Sequence, residues 1–117
     1  MAPSSLSKSF NSCTSVETLG LKNIRLAFSE RAEGPYGAPS EPITGNYWAE
    51  GPTAIRMGGE WFVYFDKYTE RRYGLVVSSD LVNWREETDR LIVPEGMRHG
   101  TVFEVPEEIA QVLLTLR

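Results

Sequence analysis

Two successive glycines, Gly58 and Gly59, separate two runs rich in β-branched and aromatic residues, 53–57 and 61–66. A Gly-Gly pair adopts the positive φ angles that a two-residue hairpin turn requires, and runs of this composition favour strands. The pattern therefore predicts an antiparallel hairpin. A hairpin by itself is only marginally stable in water, so the neighbouring sequence has to supply further strands.

The flanking sequence predicts those further strands. Residues 24–29 alternate apolar and polar side chains, which is typical of a half-buried strand. Residues 73–78 predict a strand after the hairpin, and 91–93 predict a fourth strand that ends at Pro94. Four strands within about forty residues correspond to one blade of a β-propeller. The chain is therefore predicted to be all-β, with about two blades of antiparallel four-stranded meanders.

The two ends of the chain differ from this β-rich part. Residues 1–22 are rich in serine and predict a disordered leader, followed by one domain over 23–117. Pro106, Glu107 and Glu108 together predict a helix start, because proline fits the first turn and the acidic side chains complement the helix dipole. Apolar residues then recur at helical spacing. A short C-terminal helix is expected to pack on the edge of the sheets.

Composition limits the partners and the compartment. The chain has 12 basic and 16 acidic residues, a net charge of −4, and no lysine or arginine stripe that would predict nucleic-acid binding. Its single cysteine, Cys13, excludes an internal disulfide and fits no structural zinc site. No apolar run approaches the about 20 residues of a membrane span or the core of a signal peptide. We therefore expect no membrane partner and favour a cytoplasmic location.

Glu50 lies in a run framed by Tyr47 and Trp48 on one side and by Gly51 and Pro52 on the other. A glutamate before Gly-Pro is commonly a solvated turn residue. The aromatic residues allow a second interpretation, because they can stack on a sugar ring and shield a carboxyl from water. Such desolvation favours the protonated form that a general acid needs. The residues themselves leave both interpretations open.

Three more polar residues have both structural and functional interpretations. A lone histidine such as His99 is commonly a hydrogen-bonded structural residue, and no second histidine is present to build a zinc site. Arg98 fits a surface position, and it can equally pair with a carboxylate or a sugar hydroxyl. Asp66 ends the aromatic strand, where aspartate commonly starts a turn and can alternatively reach the rim of a pocket.

These motifs also carry a family resemblance. The Glu-Gly-Pro motif at Glu50, the Asp-Leu-Val-Asn-Trp turn at 80–84 and the His-Gly motif at His99 together resemble the C-terminal part of glycoside hydrolase family 43. The resemblance covers about residues 24–110. It implies a five-bladed β-propeller and an inverting acid/base hydrolysis of arabinofuranosides or xylosides in plant cell-wall polysaccharides.

The resemblance implies roles for individual residues. Glu50 matches the general acid that protonates the leaving-group oxygen, and Arg98 matches an arginine that faces the substrate pocket. His99 matches a histidine of the central channel, where many members hold calcium or another hard cation largely through water. Trp48 is expected to contact the carbohydrate, and Asp66 is a further candidate for substrate contact.

One part of the family pattern has no counterpart in the sequence. Inverting glycosidases need a second carboxylate about 6.5–9.5 Å from the acid to activate water, and residues 1–23 do not resemble the family's strand that carries this base. We therefore expect a C-terminal portion of such an enzyme, with missing N-terminal blades or with self-association that buries its open edges. A non-catalytic sugar-binding or self-assembling module and an inactive truncated product are the alternative hypotheses.

Overall fold

The computed structural model describes residues 7–13 and 22–116, and most of the regular secondary structure in them is β-strand. The strands and the helix are, in chain order, β1 Ser7–Cys13, β2 Asn23–Ser29, β3 Glu50–Met57, β4 Glu60–Lys67, β5 Arg72–Ser78, β6 Arg85–Glu86 and α1 Glu107–Thr115. Single 3-10 turns, Tyr68–Glu70 and Thr88–Arg90, follow β4 and β6. The predicted all-β class with a short C-terminal helix is confirmed.

Strands β3 to β6 form one antiparallel meander in sequential order. Strands β3 and β4 pair from Glu50 opposite Asp66 at one end to the turn Gly58-Gly59 at the other, with a register shift between Glu50 and Thr53. The two turn glycines have φ angles of 56° and 81°, which glycine adopts without steric cost. The predicted hairpin is therefore present, and β5 confirms the strand predicted at 73–78.

The fourth strand of this sheet lies elsewhere than predicted. It is β6, Arg85–Glu86, which pairs with β5. The predicted strand at 91–93 is wrong, because the 3-10 turn at Thr88–Arg90 leads the chain away from β5 and Pro94 has no N–H for a ladder. Ile92 is 99% exposed as a result.

A second sheet consists of β1 and β2, which pair in antiparallel orientation from Ser7 opposite Ser29 to Cys13 opposite Asn23. Strand β2 confirms the predicted strand at 24–29. Strand β1 lies inside the segment that the sequence predicts to be disordered, and here the structure differs. Sheet pairing uses backbone N–H and C=O groups, so a serine-rich segment can take part in it. The rest of the predicted leader, 1–6 and 14–21, lies outside the described residues.

The hydrophobic core joins β2 to the inner strands β4 and β5. Its buried side chains are Ile24, Leu26, Ile43, Ala49, Val63, Phe65 and Val76. The loop that leads into β3 is held by a hydrogen bond from the Ala49 N–H to the Lys22 carbonyl (3.1 Å) and by the ring of Tyr47, stacked on Phe65 with centroids 5.8 Å apart. These contacts fix the entry to β3, and with it the position of Glu50.

The turn after β5 is held by one carboxylate. Asp80 accepts hydrogen bonds from the backbone N–H groups of Asn83 (2.8 Å) and Val82 (2.9 Å). These hydrogen bonds hold the pKa of Asp80 well below its usual range, and the one from Asn83 has the largest effect. Trp84 then packs partly buried against the core.

Helix α1 begins at Glu107 directly after Pro106, as predicted, with Glu107 and Glu108 in its first turn. No residue of α1 is buried, so the expectation that the helix packs on a sheet edge is wrong. The segment before the helix, 101–106, forms no strand. Large apolar side chains in and just after the helix are between 46% and 71% exposed: Ile109, Val112, Leu113, Leu114 and Leu116. Within residues 22–116, no helix has the length and apolar character to cross a bilayer.

Candidate functional site

Glu50 and Asp66 are direct cross-strand partners at the first residue of β3 and near the end of β4. Partners of this kind have their side chains on the same face of a sheet. The Glu50 side chain keeps 21% of its surface exposed, whereas Asp66 keeps 1%. The hairpin therefore sets a partly accessible carboxylate beside a buried one.

Arg98 and His99 approach both carboxylates from a distant part of the chain. Arg98 Nε donates a hydrogen bond to Asp66 Oδ2 at 2.9 Å, and this bond raises the pKa of Arg98. His99 Nε2 lies 3.6 Å from Glu50 Oε2 and 3.6 Å from Asp66 Oδ2. Four of the five predicted site residues thus meet at one end of the β3–β4 hairpin.

Hydrogen bonds to β5 and β3 hold the segment that carries Arg98 and His99. The Tyr73 hydroxyl accepts from the Gly100 N–H at 3.0 Å and donates to the Gly100 carbonyl at 3.2 Å. Burial raises the pKa of Tyr73, so its hydroxyl stays neutral and can serve in both roles. The Val102 N–H donates to Thr53 Oγ1 at 3.3 Å. The segment is therefore fixed to the sheet directly after His99.

Backbone conformations with positive φ border the same site. Gly51 has a φ of 62°, and His99 and Arg71 have φ angles of 49° and 54°. Such angles are uncommon for residues other than glycine, and they concentrate at functional sites, where the surrounding structure maintains them. In His99 the unusual backbone directs the imidazole towards Glu50 and Asp66.

Lys22 is a member of the site that the sequence did not indicate. Its Nζ donates to Glu50 Oε1 at 3.1 Å, and this hydrogen bond raises the pKa of Lys22. The ammonium also lies 5.5 Å from the ring centroid of Tyr68. Lys22 precedes Glu50 by 28 residues and belongs to no motif. The pairing of its carbonyl with the Ala49 N–H brings it next to the carboxylate.

Trp48 lies at the side of this group rather than within it. Its ring meets Tyr68 edge to face, with centroids 6.1 Å apart and planes at 75°. Tyr68 in turn contacts Lys22, the partner of Glu50. Trp48 and Tyr68 therefore form an aromatic wall next to the carboxylates, which is a suitable surface for a sugar ring.

A pocket of about 310 Å³ opens beside the ion pair of Asp66 and Arg98. Its lining residues are Tyr68, Arg71, Gly96, Met97 and Arg98. This volume is at the lower end of the range found for small-molecule sites. The pocket is therefore large enough for a single sugar unit.

The donor set does not fit direct binding of a hard cation. Calcium takes six to eight oxygen ligands, whereas here Lys22 already donates to Glu50 and Arg98 to Asp66. Within the part of the chain that the structure describes, no group of three or more His, Cys, Asp or Glu side chains could hold a metal ion. A cation bound near His99 through water stays a prediction.

No family model, no curated protein and no solved structure matches this chain. The resemblance to family 43 therefore rests on the motifs alone, and the site is interpreted from its own geometry.

Proposed function

We propose that this chain supplies the general-acid side of a glycoside hydrolase site. The substrates would be arabinofuranosides or xylosides of plant cell-wall polysaccharides, cleaved by inverting acid/base hydrolysis. The observation that carries the proposal is the meeting of Glu50, Asp66, Arg98 and His99 at one end of the hairpin. Hydrolysis of glycosides commonly depends on carboxylates grouped around the scissile bond, and an aromatic wall beside them suits a sugar.

Glu50 is the general acid in this proposal. It is the more accessible of the two carboxylates. Its Oε1 accepts a hydrogen bond from Lys22, whereas its Oε2 lies 3.6 Å from His99 Nε2. The acid gives its proton to the leaving-group oxygen as the glycosidic C–O bond breaks, while water attacks the anomeric carbon from the opposite face. Trp48 contacts the sugar in this arrangement.

Asp66 and Arg98 have different parts in the proposal. The 1% exposure of the Asp66 side chain and its hydrogen bond from Arg98 make it a positioning residue, which holds Arg98 at the edge of the pocket. Arg98 keeps 58% of its side chain exposed and can donate to a sugar hydroxyl. His99 holds a central place, within 3.6 Å of both carboxylates.

The general base is not among these residues. Asp66 is buried and already paired, so it is poorly placed to activate a water molecule on the far side of a sugar. We propose that further propeller blades or a second copy of the chain supply the base. Strand β3 forms one edge of its sheet, and unpaired strand edges favour association.

A non-catalytic sugar-binding module is the second candidate function. In the structure Lys22 and Arg98 each donate to a carboxylate, so both acids are ion-paired. Paired carboxylates and guanidinium groups can bind sugar hydroxyls without performing chemistry. This candidate predicts that Glu50→Gln weakens sugar binding and that no conditions reveal turnover.

The test supplies a nucleophile that needs no base. Azide is already anionic, so it can attack the anomeric carbon directly, and the glycosyl azide and the freed leaving group are measured. Two substrates are compared, an aryl xyloside with a good leaving group and xylobiose with a poor one. General-acid catalysis contributes about 10²–10⁴-fold. Glu50→Gln should therefore reduce xylobiose cleavage by about that factor and affect the aryl substrate little.

The matched control is Glu33→Gln, which alters an exposed glutamate that is paired with Arg31. It should leave both reactions unchanged. Equal losses on both substrates with Glu50→Gln would mean that Glu50 only shapes the pocket. Sugar binding without any azide-dependent product would favour the binding module.

A further inference from the structure

Arg71 differs from the neighbouring arginines in the environment of its side chain. It is exposed, and within residues 22–116 no carboxylate, carbonyl or ring is its side-chain partner. The arginines around it are all paired: Arg72 with Asp89 at 3.2 Å, Arg90 with Glu87 at 3.5 Å and Arg98 with Asp66 at 2.9 Å. A guanidinium without a partner, next to a pocket, can receive an anion.

The backbone does not account for an arginine at this position. Arg71 ends the 3-10 turn Tyr68–Glu70 with φ 54° and ψ 39°, and its N–H donates to the Tyr68 carbonyl at 3.3 Å. Glycine and asparagine suit this left-handed conformation better than a long side chain does. The reason for an arginine here therefore lies in its side chain.

Arg71 lines the pocket of about 310 Å³ together with Arg98 and Tyr68. Arg98 uses Nε for Asp66, and within the described chain its two terminal nitrogens have no hydrogen-bond acceptor. The acidic side chains of this region have other partners or line another pocket, and Glu50, which also attracts Arg98, is paired with Lys22. Asp66 pairs with Arg98, Glu70 pairs with Lys67 at 3.3 Å, and Glu95 lines the neighbouring pocket. Two arginines thus line one sugar-sized space.

We propose that this pocket is a subsite for an acidic sugar. The carboxylate of a hexuronic acid would be bound by Arg71 and by the terminal nitrogens of Arg98, and its ring would lie against Tyr68. Planar guanidinium groups match carboxylates with two parallel hydrogen bonds, which a neutral sugar cannot provide. The net charge of the chain is −4, so general attraction of anions does not explain such binding.

This inference rests on the proposed function, because Arg98 and Tyr68 connect the pocket to the site of Glu50. It narrows the substrate class to oligosaccharides with a hexuronic acid next to the residue that is cleaved. Arg71 is then a specificity-determining residue, while Glu50 performs the chemistry.

The test compares two sugars that differ only in the carboxylate, methyl β-D-glucuronide and methyl β-D-glucoside. Each is titrated into the full chain at low salt, and binding is followed by NMR. The glucuronide should bind about tenfold more tightly, consistent with one charge-assisted contact. Arg71→Asn should remove this preference without disturbing the turn, because asparagine suits the left-handed conformation.

Arg31→Asn is the control, since it removes an exposed arginine of a distant ion pair, and it should keep the preference. If Arg71→Asn does not fold, Arg71→Lys keeps the charge, loses the two parallel bonds and should bind the glucuronide about threefold more weakly than wild type. An unchanged preference in Arg71→Asn, or in Arg71→Lys where that variant is used, would overturn the proposal.

Acetate that competes as well as the glucuronide would also overturn it, because the pocket would then bind any small anion. Binding is measured without turnover, so these results are independent of the azide experiment on Glu50.

Discussion

His99 occupies the space that a side chain at Gly51 would need. A Cβ on Gly51 would lie 2.7 Å from His99 Nδ1, which is closer than atoms of this kind approach without displacement. Gly51 follows Glu50 in β3, whereas His99 belongs to the segment held by Tyr73. Because Gly51 has no side chain, His99 can lie close to both carboxylates.

Gly51→Ala should consequently displace His99 and loosen its segment. The new methyl group also meets an unfavourable backbone, because φ is 62°. We expect the free energy of unfolding to fall by about 1–3 kcal/mol, together with a shift of the His99 imidazole signals in NMR spectra. Urea unfolding and these spectra test the change.

Gly58→Ala is the matched control for this prediction. Gly58 also has a positive φ, 56°, but a Cβ there would have no atom within 4 Å. It should lower stability by about 1 kcal/mol through the backbone alone and leave the His99 signals in place. Identical spectra for the two variants would contradict the contact between Gly51 and His99.

A second glycine prediction concerns the core. A Cβ on Gly74 would lie 2.4 Å from Phe65 Cε2 and 2.9 Å from Lys67 Cδ, so Gly74→Ala overpacks the pair of β4 and β5. Overpacking of this kind lowers stability by about 1–3 kcal/mol. Phe65→Leu should relieve part of the loss when it is combined with Gly74→Ala. A double-mutant cycle measures this coupling, and strictly additive losses would show that the two residues are not in conflict.

Sequence patterns predict a structural element correctly where its formation depends on residues that are close in sequence. The turn at Gly58-Gly59 and the helix start at Glu107 are such cases, because turn chemistry and helix capping act over a few residues. The strand predicted at 91–93 failed for the opposite reason. Its apolar composition suits a strand, but the preceding 3-10 turn, Thr88–Arg90, decides where the chain goes.

In the candidate site too, residues in short motifs are predictable from the sequence, whereas residues placed by long-range contacts are not. Glu50 and His99 were found because each lies in a recognisable short motif. Lys22 lies in none, and its position follows from the pairing of two segments that are far apart in sequence. Arg71 was likewise missed, because a left-handed backbone angle leaves no trace in a single arginine. Contacts of this kind require the three-dimensional arrangement.

Asp80 predicts a pH dependence of stability. Its pKa is lower in the folded chain than in an unfolded one, so it stabilises the fold above about pH 4, its usual range, and this contribution is lost as the pH falls further. Asp80→Asn should therefore lower the melting temperature at pH 7 and differ less from wild type at pH 3. Asp89→Asn, at a side chain that is 98% exposed, is the control. A difference that does not change with pH would contradict the role of the Asp80 charge.

The exposed surfaces predict association. Strand β3 is an edge of its sheet, and apolar side chains of α1 are exposed, among them Ile109 at 46% and Leu113 at 52%. We expect light scattering to give a mass above that of one chain. Replacing both residues with lysine should lower this mass, whereas Gln111→Lys in the same helix should not. A wild-type monomer with cooperative melting would contradict this prediction.

The last prediction separates enzyme from binding module in the 117-residue chain itself. The proposed site has no base among Glu50, Asp66, Arg98 and His99. Interactions that bind substrate and transition state equally then survive, but the attack of water is not accelerated. We therefore expect no turnover of aryl arabinofuranosides or xylosides in the absence of azide, and weak sugar binding that Trp48→Ala abolishes. Tyr36→Ala, at a tyrosine that is 40% exposed, is the control and should bind as wild type does.

Turnover above background that disappears in Glu50→Ala would mean that a base is present after all. Dilution would then distinguish the two sources, because the activity per chain falls on dilution only if a second copy of the chain, rather than a carboxylate of the same chain, activates the water.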